Sequence, residues 1–207
     1  MAQERTAYDA KLESILRAAA VIFAEKGYHQ ASIRDIARGT GISLSGLYYY
    51  FQSKEELLFL IEDHALETLL AGLERAIAGV DDPREKLRRL IDNHLRFFVE
   101  NMAEMKVLSH EAQSLTGEFR TNLNGRKHRI TQLATETLRE IHPQTPLDDR
   151  VSAFALFGMM NWLYAWYRPD RDVDVDRLVS DMTRIFMQGY LGCGDEARSD
   201  PPGPRIA

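Results

Sequence analysis

The stretch from residue 32 to residue 54 constrains the fold of this chain most, because two short helical patterns meet there at a single glycine. Ser32 has the position and side chain of a helix N-cap, and Asp35 follows three residues later, as in a capping box. Gly41 supplies the backbone freedom that a tight turn requires, and Ser43 can cap the second helix. The pattern predicts a helix-turn-helix, a motif whose second helix enters the major groove of DNA.

Three adjacent tyrosines follow the core of the second short helix, which we expect to run from residue 44 to about residue 50. Tyr48, Tyr49 and Tyr50 cannot all be buried on one helical face, whereas Leu47 and Phe51 have the spacing of inward-facing residues. At least one phenol is therefore expected at the surface, where its hydroxyl suits contact with a sugar-phosphate backbone.

The first quarter of the chain resembles the TetR family of transcriptional regulators. The motifs that carry the resemblance are Ile22-Phe23-Ala24-Glu25-Lys26-Gly27-Tyr28, Ser32-Ile33-Arg34-Asp35-Ile36-Ala37, Gly41-Ile42-Ser43, Leu47-Tyr48-Tyr49-Tyr50-Phe51 and Ser53-Lys54-Glu55-Glu56-Leu57-Leu58. The resemblance implies that the recognition helix reaches base edges, while tyrosines and a lysine of the next helix bind phosphates. The residues expected at the DNA are Ser32, Arg34, Ser43, Leu44, Ser45, Gly46, Tyr48, Tyr49, Tyr50 and Lys54. Leu44 departs from the polar or basic residue that is frequent in the family, which leaves base specificity open.

Apolar periodicity and capping signals predict an all-α fold of about nine helices without strands. The first three helices form a DNA-binding head, residues 1–53, and the rest form a ligand-binding and dimerisation body, residues 54–194. Residues 195–207 are rich in proline and have nothing to bury, which predicts a disordered tail. A long fourth helix, from residue 54 to about residue 78, is expected to couple head and body.

Charge and composition restrict the partners of the chain. The formal net charge is −5, with a balance of +2 in residues 1–54 and −7 in the remainder. A weakly basic head on an acidic body fits local contact with DNA. The single Cys193 excludes an internal disulfide, as expected in a reducing cytoplasm. No signal peptide or long apolar segment is visible, so we expect a cytoplasmic protein without a membrane partner.

The segment from residue 148 to residue 167 is apolar on every face of its predicted helix, which is unusual for a surface helix. One face must meet the core, and another must meet a second subunit. A homodimer also follows from the DNA argument, because one short helix reads too few bases to be selective. In the family resembled, the last two helices form the dimer interface, which implies Phe157, Met160, Tyr164, Leu178, Met182, Ile185 and Phe186 as interface residues.

A narrower resemblance is to the TetR branch that senses acyl-CoA thioesters and controls fatty-acid, steroid or aromatic-acid degradation. It is carried by Asn161-Trp162-Leu163-Tyr164-Ala165-Trp166-Tyr167-Arg168-Pro169, His110-Glu111-Ala112-Gln113 and Arg126-Lys127-His128-Arg129. The resemblance implies an aromatic tunnel for an acyl chain, with basic residues at its mouth for the phosphates of CoA. The residues expected at the ligand are Phe98, His110, Glu111, Arg126, Arg129, Asn161, Trp162, Tyr164, Trp166 and Arg168.

Together these patterns predict a homodimeric repressor that a small molecule, an acyl-CoA or related lipophilic thioester, releases from double-stranded operator DNA. No cofactor, catalytic residue or metal site is predicted: the run Asp172–Asp176 resembles a calcium loop, but Arg177 and Thr183 stand where glycine and glutamate are needed. Three alternatives stay open. The chain could be an efflux regulator that senses lipophilic drugs or aromatics, a DNA-binding activator or architectural protein without an effector, or a helical enzyme with a vestigial head.

Overall fold

A computed structural model of the chain describes residues 2–111, 113–144 and 147–196, and these residues form helices without a strand. In chain order the helices are α1 (Ala2–Lys26), α2 (Ile33–Thr40), α3 (Leu44–Leu47), α4 (Lys54–Ile77), α5 (Pro83–Glu100), α6 (Met102–His110), α7 (Gly117–Ile141), α8 (Asp149–Asn161), α9 (Leu163–Trp166) and α10 (Val175–Glu196). The all-α prediction is confirmed. Within the described ranges, none of these helices is both long and apolar enough to cross a membrane.

The helices form two compact units, each built from two separate stretches of chain. The first unit comprises the residues up to 71 together with 97–128, and the second comprises 72–96 together with the residues from 129 onward. The predicted functional boundary between residues 53 and 54 stays a prediction. The predicted tail begins at the end of α10, and from residue 197 it lies outside the described residues.

The first unit contains the helix-turn-helix. α1 packs against α2 and α6, and it buries Ile15, Ala19 and Phe23, which lie on one face at intervals of four residues. The side chain of Ser32 caps α2, and Asp35 returns a hydrogen bond to the Ser32 backbone, so the predicted capping box is present. These local contacts fix where the motif begins.

The turn of the motif also follows its sequence signals. Gly41 ends α2 with φ +67°, a left-handed conformation that side chains other than glycine rarely adopt. The Ser43 Oγ accepts a hydrogen bond of 3.1 Å from the Gly46 N–H and so caps α3. α3 is shorter than predicted, because the amides of Tyr49 and Tyr50 bond to carbonyls three residues back rather than four, which tightens the end of the helix.

In the second unit, the predicted continuous helix over residues 148–167 is interrupted at Trp162. The Ala165 amide bonds to the Trp162 carbonyl, a three-residue spacing that separates α9 from α8. The interruption gives ten helical segments in the described residues, which agrees with the prediction of about nine helices. Tyr167 ends α9, and its buried ring donates a hydrogen bond of 2.9 Å from its hydroxyl to the Val173 carbonyl. This contact joins the two ends of the loop between α9 and α10.

Candidate nucleic-acid interface and ligand-binding residues

The exposed face of α3 carries most of the residues expected at DNA. Leu44, Ser45 and Tyr48 are exposed, whereas Leu47 is completely buried and anchors the helix. Gly46 has a structural role as well, because a Cβ there would lie 2.9 Å from the Ile42 side chain. The helix therefore presents small and amphipathic side chains on a surface of the kind that a major groove can accept.

An aromatic cluster orients the tyrosines that follow α3. Tyr49 is 74% exposed, and Tyr50 is stacked on Tyr8 of α1 with ring centroids 5.0 Å apart and an interplanar angle of 24°. Tyr8 also meets the Tyr49 ring edge-on at 5.8 Å. The sequence patterns identified the three adjacent tyrosines but not Tyr8, which lies 41 residues away from Tyr49 in the sequence.

The basic residues in and near α2 differ in whether their side chains already have a partner in the protein. The Arg34 side chain is exposed and has no hydrogen-bonding partner among the described residues, so it is available to a phosphate. Lys26 and Arg38 instead contact the Asp35 carboxylate at 2.8 Å and 2.6 Å. Hydrogen bonds from Lys26 and Ser32 hold the pKa of Asp35 far below its usual value. Ser32, another residue expected at DNA, is thus part of the cap of α2.

Lys54 is partly engaged by the protein itself. Its Nζ lies 4.5 Å from the centroid of the Tyr28 ring and donates a hydrogen bond of 3.2 Å to the His29 carbonyl. Burial lowers the pKa of Lys54. The side chain therefore holds the loop after α1 against the start of α4, and two of its three N–H donors remain for another acceptor. Its predicted phosphate contact stays a prediction.

Within the first unit, the connection between α6 and α7 contacts the loop after α1 and the first turn of α4. The Glu111 carboxylate accepts hydrogen bonds from the Tyr28 amide at 3.3 Å and from the Ser114 hydroxyl at 2.9 Å. The amide and hydroxyl of Thr116 both donate to Glu55 at the start of α4. Glu111 and His110 line only a small cleft of about 70 Å³. The carboxylate of Glu111, a residue expected at the ligand, thus already has hydrogen-bonding partners within the first unit.

The two arginines expected at the mouth of a ligand tunnel are paired with carboxylates of α4. Arg126 donates to both oxygens of Asp63, at 2.5 Å from Nε and 3.2 Å from Nη2. Arg129 donates to Glu74 at 3.3 Å. These pairs join residues that are 63 and 55 positions apart in the sequence, so no local pattern indicates them.

Glu62 of α4 is a buried carboxyl that the sequence patterns did not identify. It is 0% exposed, and neither carboxylate oxygen has a hydrogen-bonding partner among the described residues. Burial raises its pKa to about 7, Lys127 opposes the shift, and Glu111 adds to it. Phe98, expected at the ligand, is also completely buried in the first unit.

In the second unit, the residues expected at the ligand are half-buried or exposed. Asn161 is paired with the buried His94 at 2.8 Å. Trp162 is 59% exposed and Trp166 is exposed beside it. With α10 they line an apolar surface groove of about 570 Å³, whose other lining residues include Met159, Leu178, Met182 and Ile185. Tyr164 meets the Trp162 ring edge-on at 5.6 Å, and the exposed Arg168 donates to the Tyr167 carbonyl.

The residues expected at a dimer interface differ in how much of their side chains is exposed. Met160, Leu178 and Phe186 are buried within the second unit, and Phe157 and Met182 are half-buried. Ile185 is 64% exposed on α10. α8 adds exposed side chains that the prediction left out, Val151 and Phe154. Val151 and Phe154 are three residues apart and so lie on one face of α8, which the uniformly apolar sequence of the segment conceals.

Within the described residues, no group of three or more His, Cys, Asp or Glu side chains could hold a metal ion.

Comparisons with known proteins relate both parts of the chain to one group of regulators. Residues 15–61 match the model "Bacterial regulatory proteins, tetR family", and residues 80–190 match "Tetracyclin repressor-like, C-terminal domain". The chain is 33% identical to PfmR, a TetR family transcriptional regulator from Thermus thermophilus, over 84% of this chain and 97% of that one, with a TM-score of 0.76. It is 27% identical to AibR, crystallised with isovaleryl coenzyme A and operator DNA, over 84% and 97% of the two chains, with a TM-score of 0.77. It is also 27% identical to the HTH-type transcriptional repressor KstR2 of Mycobacterium tuberculosis, over 85% of this chain and 79% of that protein.

Proposed function

The chain belongs to the TetR family of DNA-binding transcriptional regulators, and from that premise we propose that it is a homodimeric repressor released from its operator by a small molecule. The observation that carries the proposal is the exposed face of α3 on a capped helix-turn-helix, with Arg34 free beside it. One such helix is too short to select an operator. Two copies of the chain therefore bind successive major grooves of a pseudo-palindromic operator, and the protein acts in the cytoplasm.

The dimer contact is proposed for the exposed apolar surface of α8, α9 and α10. Val151, Phe154, Trp162 and Ile185 expose large apolar side chains there. Surfaces of this kind mark sites of protein association. A second copy of the chain that covers this surface would remove the apolar area from water and hold the two recognition helices in one assembly.

We propose that the effector is an acyl-CoA or a related lipophilic thioester. AibR, which resembles this chain over nearly its whole length, was crystallised with isovaleryl coenzyme A. A CoA phosphate at Arg126 would compete with Asp63 for the guanidinium, and a phosphate at Arg129 would compete with Glu74, because guanidinium groups bind phosphate and carboxylate in similar geometry. The cost of breaking those pairs lowers the affinity that the phosphates can provide.

The same pairs favour a second candidate effector, a lipophilic drug or aromatic compound without charge. Arg126 and Arg129 already have anionic partners in the protein, so an uncharged effector leaves them where they are. The two candidates are separated by Arg126→Ala and Arg129→Ala. Both variants weaken release of DNA by a thioester, whereas release by an uncharged effector is unchanged.

Effector and DNA oppose each other through linked equilibria. If the effector favours a conformation with wrongly spaced heads, it weakens DNA binding, and DNA weakens effector binding by the same factor. α4 is the proposed coupling element, because its first turn holds the Tyr28–His29 loop through Lys54 and its later turns carry Asp63 and Glu74.

The test is operator binding by the purified protein, followed by fluorescence anisotropy at stated salt concentrations with DNA from upstream of its own gene. Tight binding that a thioester abolishes, while free CoA and the free acid do not, would support both the repressor and the effector class. Binding that no compound disturbs would favour an activator or architectural protein. Turnover of a substrate without DNA binding would point to an enzyme and overturn the proposal.

A matched pair of arginine variants tests the DNA surface. Arg34→Ala is expected to weaken operator binding and to reduce its salt dependence, because one phosphate contact is lost. Arg171→Ala is the control, since Arg171 is also exposed but lies in the loop before α10. Equal effects of the two substitutions would contradict the proposed surface.

A further inference from the structure

A hydrogen-bonded pair in the second unit leaves one buried polar atom without a partner among the described residues. His94 of α5 is 3% exposed, and its Nε2 lies 2.8 Å from the side-chain oxygen of Asn161, the last residue of α8. A carboxamide oxygen only accepts hydrogen bonds, so the proton between the two groups belongs to Nε2. The lone pair is then on Nδ1, which is buried and has no partner among the described residues.

The imidazole stays neutral at physiological pH. Burial lowers the pKa of His94 to about 4, although the hydrogen bond with Asn161 opposes the shift. Nδ1 is therefore an acceptor and not a donor in the native protein. A buried acceptor without a hydrogen-bonding partner lowers the stability of the folded chain. We therefore expect Nδ1 to have a role that offsets this loss.

The surroundings of His94 are apolar. A small cavity of about 10 Å³ lies beside the ring. Apart from His94 it is lined only by Leu73, Leu90, Ile130, Ala134, Leu156, Phe157 and Met160. A buried water needs two to four polar partners. Among the lining residues only His94 has a polar side chain, so a water in this cavity would lack the partners it needs. An organic group that combines one donor with apolar surface fits better.

We propose that His94 Nδ1 is the polar contact of an effector subsite in the second unit, and that the effector presents a hydroxyl group there on an otherwise apolar acyl chain or ring. This inference rests on the proposed ligand-responsive function and narrows its effector class. The effector enters by displacing the side chains of Phe157 and Met160, of which methionine is flexible enough to adapt to a new neighbour. Asn161 is the positioning residue that holds the imidazole tautomer.

The proposed contact gives a definite order of preference. A hydroxyl donates to Nδ1, a saturated chain leaves Nδ1 without a partner, and a ketone directs its own lone pairs at the lone pair of Nδ1. A site with a buried hydrogen-bonding group rejects analogues that cannot pair with it. The 3-hydroxyacyl, saturated and 3-oxoacyl thioesters of one chain length should therefore release the operator in that order of effectiveness.

The first experiment compares these three thioesters in operator release. We expect the hydroxyacyl-CoA to act at a concentration roughly 10- to 100-fold lower than the saturated one, from the usual cost of one unpaired buried group. Equal potency of all three would overturn the inference and leave the proposed function intact. Release by none of them would count against the thioester proposal, and the inference would then be decided by the next measurement.

The second experiment does not depend on thioesters or on DNA. Long-range ¹H–¹⁵N spectra of the ¹⁵N-histidine-labelled protein report which nitrogen of His94 carries the proton and whether the other accepts a hydrogen bond. We expect a proton on Nε2 and a shift of the Nδ1 resonance on addition of phenol, but not of toluene, which has the same shape without the donor. A proton on Nδ1, or no shift with saturating phenol, would overturn the inference.

Variants test the assignment to this pair. His94→Phe combined with Asn161→Leu replaces both partners by apolar groups, which avoids leaving either polar group unpaired. The double variant should respond equally to hydroxyacyl and saturated thioesters. His128→Phe, which changes an exposed histidine of α7, is the control and should keep the preference. A preference that persists in the double variant would overturn the proposal.

Discussion

Glu62 and His94 are buried titratable side chains with polar atoms that have no hydrogen-bonding partner among the described residues. Burial acts on the two in opposite directions, since it raises the pKa of the Glu62 carboxyl to about 7 and lowers the pKa of the His94 imidazole to about 4. In both cases it disfavours the charged form. The folded chain thus favours the neutral form of both groups more than the unfolded chain does.

The raised pKa of Glu62 predicts the direction in which the stability of the folded chain changes with pH. The carboxyl titrates near 4.5 when unfolded and near 7 when folded, so its favourable contribution is present below pH 4.5 and is lost as pH rises through 7. Glu62→Gln removes this dependence. We expect the variant to be more stable than the native chain by about 1–3 kcal/mol at pH 8, and nearly equal at pH 4.5. Urea unfolding across this pH range measures the difference.

Glu67→Gln is the matched control, because Glu67 is an exposed glutamate five residues later on α4. At pH 8 this control substitution should not stabilise the chain as Glu62→Gln does. A Glu62→Gln variant whose advantage is the same at pH 4.5 and pH 8 would show that Glu62 does not titrate between those values.

The stacking of Tyr8 on Tyr50 predicts that α1 contributes to DNA binding by orienting the tyrosines after α3. Tyr8→Ala removes the ring and should weaken operator binding by about 3- to 10-fold, as expected from the loss of one aromatic pair. Tyr8→Phe keeps the ring and should bind almost as the native protein does. Anisotropy titrations measure both, and equal losses in the two variants would instead assign the effect to the Tyr8 hydroxyl.

At the residue scale, sequence patterns predicted what is local. Ser32 and Asp35 lie three residues apart, and their reciprocal cap was predicted correctly. Pairings such as Arg126 with Asp63 join distant positions, and charge patterning alone indicates only that each is a surface residue. The unpaired state of Glu62 depends on the packing of several helices around α4, which no window of sequence contains.

At the scale of elements, helix starts were predicted better than helix interruptions. Gly117 and Ile141 were placed correctly as the ends of α7, because glycine and the following prolines are local signals. The interruption at Trp162 has no glycine or proline to indicate it. It directly follows Asn161, whose side chain bonds to His94, 67 positions away in the sequence. Asn161 and His94 are therefore brought together only by the fold, and no local pattern in the sequence indicates their contact.

The turn between α2 and α3 can be tested with two glycines. Gly41→Ala places a Cβ on a residue with φ +67° and should cost about 1 kcal/mol of stability and weaken operator binding, since the turn sets the direction of α3. Gly125→Ala lies inside α7 with open space around its Cβ and should be neutral or stabilising by up to about 1 kcal/mol. Thermal unfolding and anisotropy measure the pair, and a stabilising Gly41→Ala would contradict the turn geometry.

At the scale of the whole molecule, most of the large apolar side chains that are exposed among the described residues belong to two surfaces. One includes Leu44, Tyr48 and Tyr49 of the helix-turn-helix, and the other includes Trp162 and Ile185 beside the groove of the second unit. Sequence patterns predicted that the α8 segment must meet both a core and a partner, but could not assign its faces. That assignment requires knowledge of which side chains the unit has already buried.

The surface around Ile185 gives the last prediction, that operator binding depends on association through α8–α10. Ile185→Glu places a charge on that apolar surface and should raise the dimer dissociation constant about 30-fold or more, because a carboxylate buried without a partner is strongly unfavourable. Operator affinity at low protein concentration should fall with it. Ser180→Glu adds the same charge at an exposed position of α10 that points away from Ile185, and should preserve the dimer. Sedimentation velocity across a concentration series decides the point, since a dimer that Ile185→Glu leaves intact would place the interface on another surface of the molecule.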